Sequence, residues 1–420
     1  MNILHLVTHL GGGVGTVLLN WATVDKNIHS FICLGYNLDE VIDRCKREKI
    51  ELYNQASHEF ICDFIRDRNV DIVIIHYWNH PLLVNFIVNA KLPKCRLIIY
   101  SHIGGKSIPY VIPNKLLDYS DRLVHSSLST KNANEGNTIM SAGGVDKYKN
   151  IQLKSHDGFN ILYIGTLDFS KLRSDFIEIC NEIIKKIPTA KFTVCGIGFS
   201  QDEIVKKAQD MKISDRFLFT GLTKDLSPYL EVADAFIYPL SPSHYGTGEQ
   251  VLGEAMTCGI VPIVFNNSCE MQIVKNLKNG FVVENKEQFA KSVKILHDDL
   301  EIKNKLSINA KATALEVYSV EKFIYKWDVL FNEIMSLEKK ERNWETDLKY
   351  ECGTVVFLES LGDESKIFKE YINAEKKLEQ ILDSSHQWKS DSKGSLKQYL
   401  KHFPEDMYLN KFQNILDKTQ

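Results

Sequence analysis

The 420-residue chain is long enough to form two or three domains, each with its own hydrophobic core. Its 51 basic and 54 acidic residues give a net charge of −3, which excludes the basic excess typical of nucleic-acid-binding proteins. No apolar segment reaches the length of a membrane-spanning helix. The composition therefore predicts a soluble globular protein and leaves contact with a membrane surface open.

The nine cysteines are scattered along the chain, without a CxxC pair or a metal-ligand spacing. An odd number of thiols favours a reducing compartment. The N-terminus, MNILHLVTHL, lacks a basic region and continues into a glycine-rich loop, so we interpret it as a strand and not as a targeting peptide. These features predict a cytoplasmic protein, with the inner face of the membrane as the open alternative.

The first half of the chain alternates between strand and helix patterns. Residues 2–8 predict a strand, which leads through a loop containing Gly12, Gly13 and Gly15 into a helix. Further strands are predicted at 31–34, 70–76, 97–102 and 122–126. This alternation predicts a doubly wound parallel sheet. Functional side chains of such sheets collect at the carboxyl ends of the strands, where His76 and His102 are placed.

The second half repeats this alternation after a turn-rich segment, in which we place a linker near residues 146–157. Strands are predicted at 160–165, 191–196, 217–221 and 235–239, with helices between them. The pattern predicts a second α/β domain of similar size. A ligand-binding cleft between the two domains is the default expectation.

Residues 241–267 read as a loop, a helix, a turn and a buried strand. Gly246 and Gly248 precede a predicted helix at 249–257, whose free N–H groups and dipole favour an anion. Glu254, inside that helix, is placed to accept hydrogen bonds from hydroxyls beside the anion. A phosphate with neighbouring hydroxyls is characteristic of a nucleotide, so this stretch predicts a nucleotide-binding site. The alternative is an ordinary loop that precedes a helix with a surface glutamate.

The last part of the chain differs in composition. Residues 337–347 are rich in charge and predict a solvated helix, and the following segments show apolar residues at helical spacing. We interpret 338–420 as a helical extension. A docked extension without chemistry and an oligomer contact are both open.

Together these motifs resemble the nucleotide-sugar-dependent glycosyltransferases of the GT-B fold, specifically the retaining family 4. The segments that carry the resemblance are ILHLVTHLGGGVGTVLLN, SHIGG, YIGTLDFSK, VCGIGF, FTGLTKDLSPYLEVADAFIYP, GEAMTCGIVPIV and NGFVV. The resemblance implies an acceptor-side Rossmann-like domain at 1–148 and a donor-side one at 149–337. An inter-domain cleft and the extension at 338–420 complete the expected architecture.

The resemblance also implies roles for particular residues. Glu254 is expected to bind the ribose hydroxyls, Lys171 to neutralise the donor diphosphate, and His102 to position the donor sugar. The loop with Gly12, Gly13 and Gly15 is expected near the diphosphate or the acceptor. Backbone groups after Gly196 and Gly198 are expected near the base.

Two positions depart from the family pattern. Thr166 stands where the family has an arginine, and Gly246 stands where it has the first acid of a glutamate pair. Glu249 is nearby, but a spacing of five turns two helical side chains about 140° apart, so Glu249 serves only if the loop is rearranged. We expect the lost groups to be replaced by the backbone at Gly246 and Gly248 and by His244, Tyr245, Thr247 and Glu249.

The sequence therefore predicts a retaining glycosyltransferase that uses a nucleoside-diphosphate sugar and a glycan, lipid-linked or protein acceptor. His102, Lys171 and Glu249 are the predicted catalytic residues. No cofactor or metal is expected, because lysine and helix dipoles supply the positive charge. The alternative is a degenerate relative that binds sugar nucleotide or glycan and supports a partner enzyme.

For the other histidines two interpretations are open, a structural role and a role at the acceptor site. His5 and His9 flank the end of the first predicted strand, and a structural role is favoured, although His9 is within reach of an acceptor. His76, Trp78 and His80 either line the acceptor site or belong to the core.

Overall fold

The computed structural model describes residues 1–114, 116, 119–140, 145–223, 225–246, 248–343, 350–373, 387–389 and 393–417. The chain forms two compact units, one of Met1–Ile139 with Glu321–Gln420 and the other of Met140–Val320. The first unit is therefore discontinuous in sequence. Residues 321–337, which the sequence pattern assigns to the second domain, lie in the first unit.

Thirteen strands are present in the described residues. They are β1 (Asn2–Val7), β2 (Ile28–Cys33), β3 (Glu51–Asn54), β4 (Ile72–Tyr77), β5 (Lys91–Ser101), β6 (Arg122–His125), β7 (Phe159–Ile164), β8 (Ala190–Cys195), β9 (Phe217–Gly221), β10 (Ala235–Tyr238), β11 (Val261–Phe265), β12 (Phe281–Val283) and β13 (Lys340–Asn343).

The α-helices in the same part of the chain are α1 (Gly12–Val24), α2 (Asp39–Glu48), α3 (His58–Asp67), α4 (Pro81–Asn89), α5 (Val145–Tyr148), α6 (Phe176–Lys186), α7 (Gln201–Asp210), α8 (Ser227–Leu230), α9 (Gln250–Thr257), α10 (Glu270–Ile273), α11 (Lys286–Asp298), α12 (Leu300–Val317), α13 (Val320–Met335), α14 (Cys352–Ser360), α15 (Ser365–Ile372), α16 (Leu396–His402) and α17 (Met407–Asp417). None of them combines the length and the apolar composition needed to cross a bilayer.

The sheet of the first unit contains the parallel strands β1 to β6 in the order β3-β2-β1-β4-β5-β6. This is the strand order of a Rossmann fold. Strand β4, IVIIHY, is buried along its whole length, as expected for a central strand covered by helices on both faces. The predicted doubly wound sheet is confirmed.

The sheet of the second unit has the same topology. Its six parallel strands follow the order β9-β8-β7-β10-β11-β12. The order reverses between β7 and β10, as it does between β1 and β4 in the first unit. Ligands of such folds bind at the carboxyl ends of the strands beside this reversal. The loops after β7 and β10 are therefore where chemistry is expected.

The segment after Met335 corrects one prediction. The solvated helix predicted at 337–347 is wrong for its described part, because Lys340–Asn343 forms β13, antiparallel to β5. Arg342 is buried, and its guanidinium donates to the Asp121 carboxylate and to the Tyr119 carbonyl oxygen, the latter at 3.1 Å. These partners let a charged segment pair with the sheet, which its composition alone does not indicate.

The helical extension is confirmed for the described residues that follow. Helices α14 to α17 enclose an aromatic core formed by Phe357, Phe368, Trp388, Tyr399 and Phe412. The Tyr399 hydroxyl donates to the Asn79 side-chain oxygen at 2.7 Å. The extension thereby packs on the first unit, beside the carboxyl end of β4.

Candidate active site

The candidate site lies in the second unit, where the loops after β7 and β10 meet. Lys171 belongs to the loop after β7, and its carbonyl oxygen accepts the Ser241 N–H at 2.8 Å from the loop after β10. Glu249 directly precedes α9. Both sequence-predicted residues therefore come from the two loops that flank the reversal of strand order.

Lys171 and Glu249 form a buried ion pair. The Lys171 Nζ atom lies 3.1 Å from Glu249 Oε2, and the side chains are 17% and 1% exposed. The Tyr238 hydroxyl donates to the same oxygen at 2.5 Å. Lys171 Nζ also lies 5.6 Å from the centroid of the Tyr238 ring, within cation–π range.

Both members of this pair keep their charge. Burial lowers the pKa of Lys171, but the Glu249 charge outweighs it and raises that pKa above its ordinary value. Burial raises the pKa of Glu249, but Lys171 and His244 outweigh it and bring that pKa below its ordinary value. The site therefore presents a permanent ammonium group at the start of a helix.

The backbone at Glu249 explains how this residue reaches Lys171. Its φ of 38° and ψ of 55° are left-handed, so Glu249 stands at the position before α9, and its side chain makes no capping hydrogen bond to the helix. A Cβ atom added to Gly246 would lie 2.1 Å from Glu249 Oε1. The carboxylate thus fills the space where a side chain at position 246 would begin. That Glu249 takes the place of the family's first acid stays a prediction.

A tyrosine fixes the start of the helix. The Tyr318 hydroxyl donates to the carbonyl oxygens of Gly248 and Glu249 at 2.9 Å and 3.0 Å. A Cβ atom on Gly253 would lie 2.5 Å from the Tyr318 ring, so this position needs glycine. Sequence reasoning missed both Tyr318 and Tyr238. The sequence feature that could have identified Tyr238 is its position at the end of β10, AFIY, beside the reversal of strand order.

The loop before the helix is also held by side chains. His244 Nδ1 accepts the Gly246 N–H at 3.1 Å, and its Nε2 lies 3.2 Å from Glu270 Oε2. The Cys269 thiol donates to the Gly246 carbonyl oxygen at 2.9 Å. Thr247, predicted to lie near the donor sugar, is outside the described residues, and Tyr245 is half-buried.

His244, Cys269 and Glu270 could together ligate a metal ion, since one ligand atom of each lies within 4.8 Å of the others. Each of these atoms also makes a hydrogen bond, and Asn267 Nδ2 donates to Glu270 Oε1 at 3.1 Å. The hydrogen-bonded network is a sufficient explanation for the cluster. Metal independence stays a prediction.

Glu254 lies in the second turn of α9 and is 9% exposed. Burial raises the pKa of its carboxyl to about 7, although the Lys147 charge opposes the shift. Within the part of the chain that the structure describes, no side-chain hydrogen bond satisfies this carboxyl. A buried acceptor of this kind is suited to receive hydroxyl donors from a ligand.

Gly196 and Gly198 have a packing role in the protein itself. A Cβ atom on Gly196 would lie 1.9 Å from the Gly165 carbonyl oxygen, and one on Gly198 would lie 2.2 Å from that of Leu167. The loops after β7 and β8 pass too closely for a side chain. Thr166 between them is exposed, and its carbonyl oxygen accepts the Tyr163 hydroxyl at 3.0 Å. Contact of these residues with a nucleotide stays a prediction.

The remaining predicted residues belong to the first unit. Gly12 and Gly13 open α1, with Gly12 at a left-handed φ of 67°, and Gly15 follows where a Cβ atom would lie 1.8 Å from the Leu10 carbonyl oxygen. His102 directly follows β5 and is 8% exposed. Burial lowers its pKa to about 3, so the ring is neutral.

His9 and Trp78 also lie together in this unit, with ring centroids 5.5 Å apart. Burial, with a smaller effect of Lys393, lowers the pKa of His9 to about 4. The lysine belongs to the C-terminal extension, so this extension reaches the carboxyl edge of the first sheet. A role of the cluster in acceptor binding stays a prediction.

Comparison with known families now defines the second unit. Residues 144–313 match the family of glycosyl transferases group 1. This segment contains Lys171, Glu249 and Glu254. The matched segment covers about 40% of the chain and lies within the second unit. The match therefore does not describe the first unit.

Two curated relatives are similar over shorter stretches. The poly(ribitol-phosphate) alpha-N-acetylglucosaminyltransferase of Staphylococcus aureus is 27% identical over 161 residues, which is 37% of this chain and 32% of the relative. The 2-deoxystreptamine N-acetyl-D-glucosaminyltransferase of Niallia circulans is 31% identical over 110 residues, 26% of this chain and 27% of the relative. The chain thus spans less than a third of the length of either relative.

A solved structure is similar over much more of the chain. The Anabaena protein HepE, in complex with UDP and glucose, has a TM-score of 0.65 and 15% identity over 79% of this chain and 99% of its own. At this identity the likeness shows the fold, and it confirms the predicted GT-B architecture of two Rossmann-like units. The comparisons support the prediction of an enzyme of the glycosyltransferase type.

Proposed function

We propose that the protein is a retaining glycosyltransferase that moves a sugar from a nucleoside-diphosphate donor to an acceptor hydroxyl. The observation that carries the proposal is the buried Lys171 ammonium, held charged by Glu249 at the start of α9. Its place inside the segment that matches glycosyl transferases group 1 supports this assignment.

Lys171 and the N–H groups at the start of α9 stabilise the negative charge that develops on the departing diphosphate. The bond between the anomeric carbon and the phosphate oxygen breaks as the acceptor oxygen bonds to that carbon from the same face. The departing phosphate takes the acceptor proton. Glu254 accepts hydrogen bonds from the ribose hydroxyls, and His102 keeps the role beside the donor sugar that the resemblance implies.

Glu249 takes over from the missing first acid. Its Oε1 atom has no hydrogen-bond partner among the described residues, while Oε2 is bound by Lys171 and Tyr238. This oxygen accepts a hydroxyl of the donor sugar. Neither a cofactor nor a metal ion takes part in the proposed reaction.

The donor is proposed from the names of similar proteins. Both curated relatives are named as N-acetylglucosaminyltransferases, and the Anabaena structure holds UDP and glucose. UDP-N-acetylglucosamine and UDP-glucose are therefore the first donors to test. The acceptor is the hydroxyl of a glycan, a lipid-linked saccharide or a protein.

The test incubates the purified protein with a panel of nucleotide sugars and candidate acceptors and measures nucleotide release. We expect release with at least one donor, and a loss of about 10³-fold in the Lys171→Ala variant. The anomeric configuration of the product decides between a retaining and an inverting reaction. Equal turnover of the wild type and of both Lys171→Ala and Glu254→Ala would show that the chemistry takes place elsewhere.

A second candidate is a protein that binds sugar nucleotide or glycan without turnover and supports a partner enzyme. The observation that favours it is the neutralisation of Lys171 by Glu249, together with Thr166 in place of an arginine. A diphosphate then meets little net positive charge. Calorimetric binding of a donor without release, across all acceptors, would select this function.

A further inference from the structure

Three aromatic side chains with a ring N–H group follow the carboxyl ends of β1 and β4. His9 is the second residue after β1, and Trp78 and His80 come directly after β4. The two strands are neighbours, with Leu6 in register with Ile75, and the strand order of the sheet reverses between them. Rossmann-like folds bind ligands beside such a reversal. We call His9, Trp78 and His80 the N–H cluster.

The register of the strands explains why the rings meet. Continued beyond the last paired residues, it brings position 9 level with position 78. The ring centroids of His9 and Trp78 accordingly lie 5.5 Å apart. His80 is also close, because the charge of His9 contributes to its pKa shift.

The two histidines share one tautomer. His9 Nδ1 accepts the Gly11 N–H at 3.1 Å, and His80 Nδ1 accepts the Leu82 N–H at 3.2 Å. Burial is the main cause that lowers the pKa of His9 to about 4 and the pKa of His80 to about 3, so both rings are neutral. A neutral imidazole has one N–H, and the nitrogen that accepts a hydrogen bond does not carry it. Both rings therefore carry their proton on Nε2.

Within the described residues, the three ring N–H groups of the cluster have no hydrogen-bond acceptor. Trp78 Nε1 is buried without a partner, and the hydrogen bonds of the two histidine rings are those at Nδ1. No carboxylate of the described residues contributes to the pKa shifts of His9 and His80. A buried N–H group without an acceptor is costly, so a ligand that supplies acceptor atoms is favoured here.

The start of α1 adds further donors beside His9. The residue before the helix is Gly11, which has no side chain to cap the first N–H groups. The helix dipole places partial positive charge at the same end. The positive end of the helix favours a ligand with negative charge.

The loop after β4 is held in place by other parts of the first unit. Asn79, between Trp78 and His80, accepts the Tyr399 hydroxyl at 2.7 Å and donates to the Pro109 carbonyl oxygen at 2.5 Å. Both ends of its side-chain amide are therefore fixed, one of them by the C-terminal extension. Donors that are fixed before a ligand arrives lose little freedom on binding.

The kind of ligand follows from the hydrogen-bonding chemistry. In the N–H cluster the Nδ1 atoms of both histidines already accept backbone N–H groups, and tryptophan has no acceptor atom. A sugar hydroxyl brings a proton that needs an acceptor, whereas an ionised oxyanion only accepts hydrogen bonds. The cluster therefore suits an oxyanion better than a hydroxyl.

We propose that His9, Trp78 and His80, together with the start of α1, bind an anionic group of the acceptor substrate, a phosphate or a carboxylate. That the anion belongs to the acceptor rests on the proposed function. The binding of an oxyanion by the N–H cluster does not.

The first test is nitrogen-15 NMR of the full-length protein labelled at histidine. It is titrated separately with sodium phosphate, sodium acetate and sodium chloride at equal ionic strength. We expect phosphate or acetate to move the Nε2–H signals of His9 and His80, and the anion that acts at the lower concentration identifies the group. His58, whose Nε2 accepts the Lys91 N–H at 3.1 Å outside the cluster, is the control ring. Signals of His9 and His80 that follow ionic strength alone overturn the proposal.

Two substitutions at one position separate the N–H group from the rest of the ring. His80→Gln keeps an N–H near the place of Nε2, whereas His80→Phe removes it, and both lose the acceptor at Nδ1. The affinity for the anion should fall about 10-fold or more in His80→Phe and less in His80→Gln, while His58→Phe should leave it unchanged. Equal losses in the two variants contradict the proposal. If His80→Phe does not fold, the titration of the wild type still decides.

Turnover tests whether the anion belongs to the acceptor. His80→Phe should raise the acceptor KM about 10-fold and change the donor KM little. A rise in the donor KM instead would assign the oxyanion to the donor and overturn the proposal. If the wild type shows no turnover with any donor, the proposed function fails, and the NMR titration still decides whether the cluster binds an oxyanion.

Discussion

The ion pair in the second unit and a row of four buried histidines in the first, which we call the histidine chain, are both hydrogen bonded but hold charge in different ways. The histidine chain consists of His29, His5, His76 and His102, which contact one another ring to ring. In the pair, opposite charges on Lys171 and Glu249 lie 3.1 Å apart, and each one stabilises the other. In the histidine chain a single carboxylate, that of Asp25, lies at one end, and the rings contact one another across four neighbouring strands. A substitution in the pair should therefore leave a charge unpaired, whereas a substitution in the chain should leave ring nitrogen atoms without a hydrogen-bond partner.

The largest effect is expected from Lys171→Ala. It leaves the Glu249 carboxylate buried without its partner, which should cost about 3–5 kcal/mol of folding free energy as well as most of the activity. The double variant Lys171→Ala/Glu249→Gln should regain stability without regaining activity. Chemical denaturation and nucleotide release measure the two effects. Full stability of the single variant would contradict a buried ion pair.

Glu254 should give the next largest effect, with a loss of about 10²-fold in kcat/KM for Glu254→Gln. Its pKa of about 7 means that the carboxylate, which accepts ribose hydroxyls, predominates above that pH. Donor affinity should therefore fall below pH 7, by at most about tenfold per unit. Calorimetric titrations at several pH values measure this, and Glu254→Gln should remove the dependence. An affinity that rises on acidification would exclude the assigned role.

The same shift has a consequence for stability. The ordinary pKa of the group is 4.5, so the folded protein binds this proton more tightly than the unfolded chain. The contribution of Glu254 to folding stability should then be largest below pH 4.5 and decrease as the pH rises through about 7. Glu254→Gln should flatten this part of the pH–stability curve.

A smaller effect is expected from Gly246→Ala. The added methyl group would meet Glu249 Oε1 at 2.1 Å and push the carboxylate away from Lys171. We expect turnover to fall about tenfold and stability by about 1–3 kcal/mol. Gly136→Ala is a matched control, because its nearest neighbour would be the Asn134 side-chain oxygen at 3.3 Å. Equal behaviour of the two variants would mean that Glu249 is not fixed by this contact.

The smallest effect on activity is expected from substitutions of two buried histidines, which should change stability alone. His5→Phe leaves nitrogen atoms of His29 and His76 without their partner, at a cost of about 2 kcal/mol or more. His125→Phe should cost less, since His125 Nδ1 has no hydrogen-bond partner among the described residues. Thermal unfolding of both variants measures the difference. If His125→Phe proves the more damaging change, the ring-to-ring bonds contribute little.

These two regions also differ in how far the sequence predicts them. Lys171 and Glu254 lie in short motifs whose order is typical of a family, so local reading placed both on the correct loop and helix. The space that Glu249 fills depends on a left-handed backbone at one residue, and helical geometry could not predict it. Tyr318, which fixes that residue, is about seventy positions away in the chain.

The sequence could not predict the histidine chain, for a different reason. Its members are spread from His5 to His102, and they meet only because β1, β2, β4 and β5 are neighbours in one register. Periodicity predicted most of these strands but not their alignment. The sequence therefore predicted both parallel sheets and the helical extension, while β13 depends on the distant partners of Arg342.

The discontinuity of the first unit has a consequence for biogenesis. Strand β13 and helix α13 follow the second unit in the chain but belong to the first. During synthesis the second unit, Met140–Val320, is complete before the first can close its sheet beside β5. The second unit can therefore fold while residues 91–95 of β5 still lack their partner strand, until residue 343 has left the ribosome. Chaperone dependence should accordingly be concentrated in the amino-terminal third of the chain.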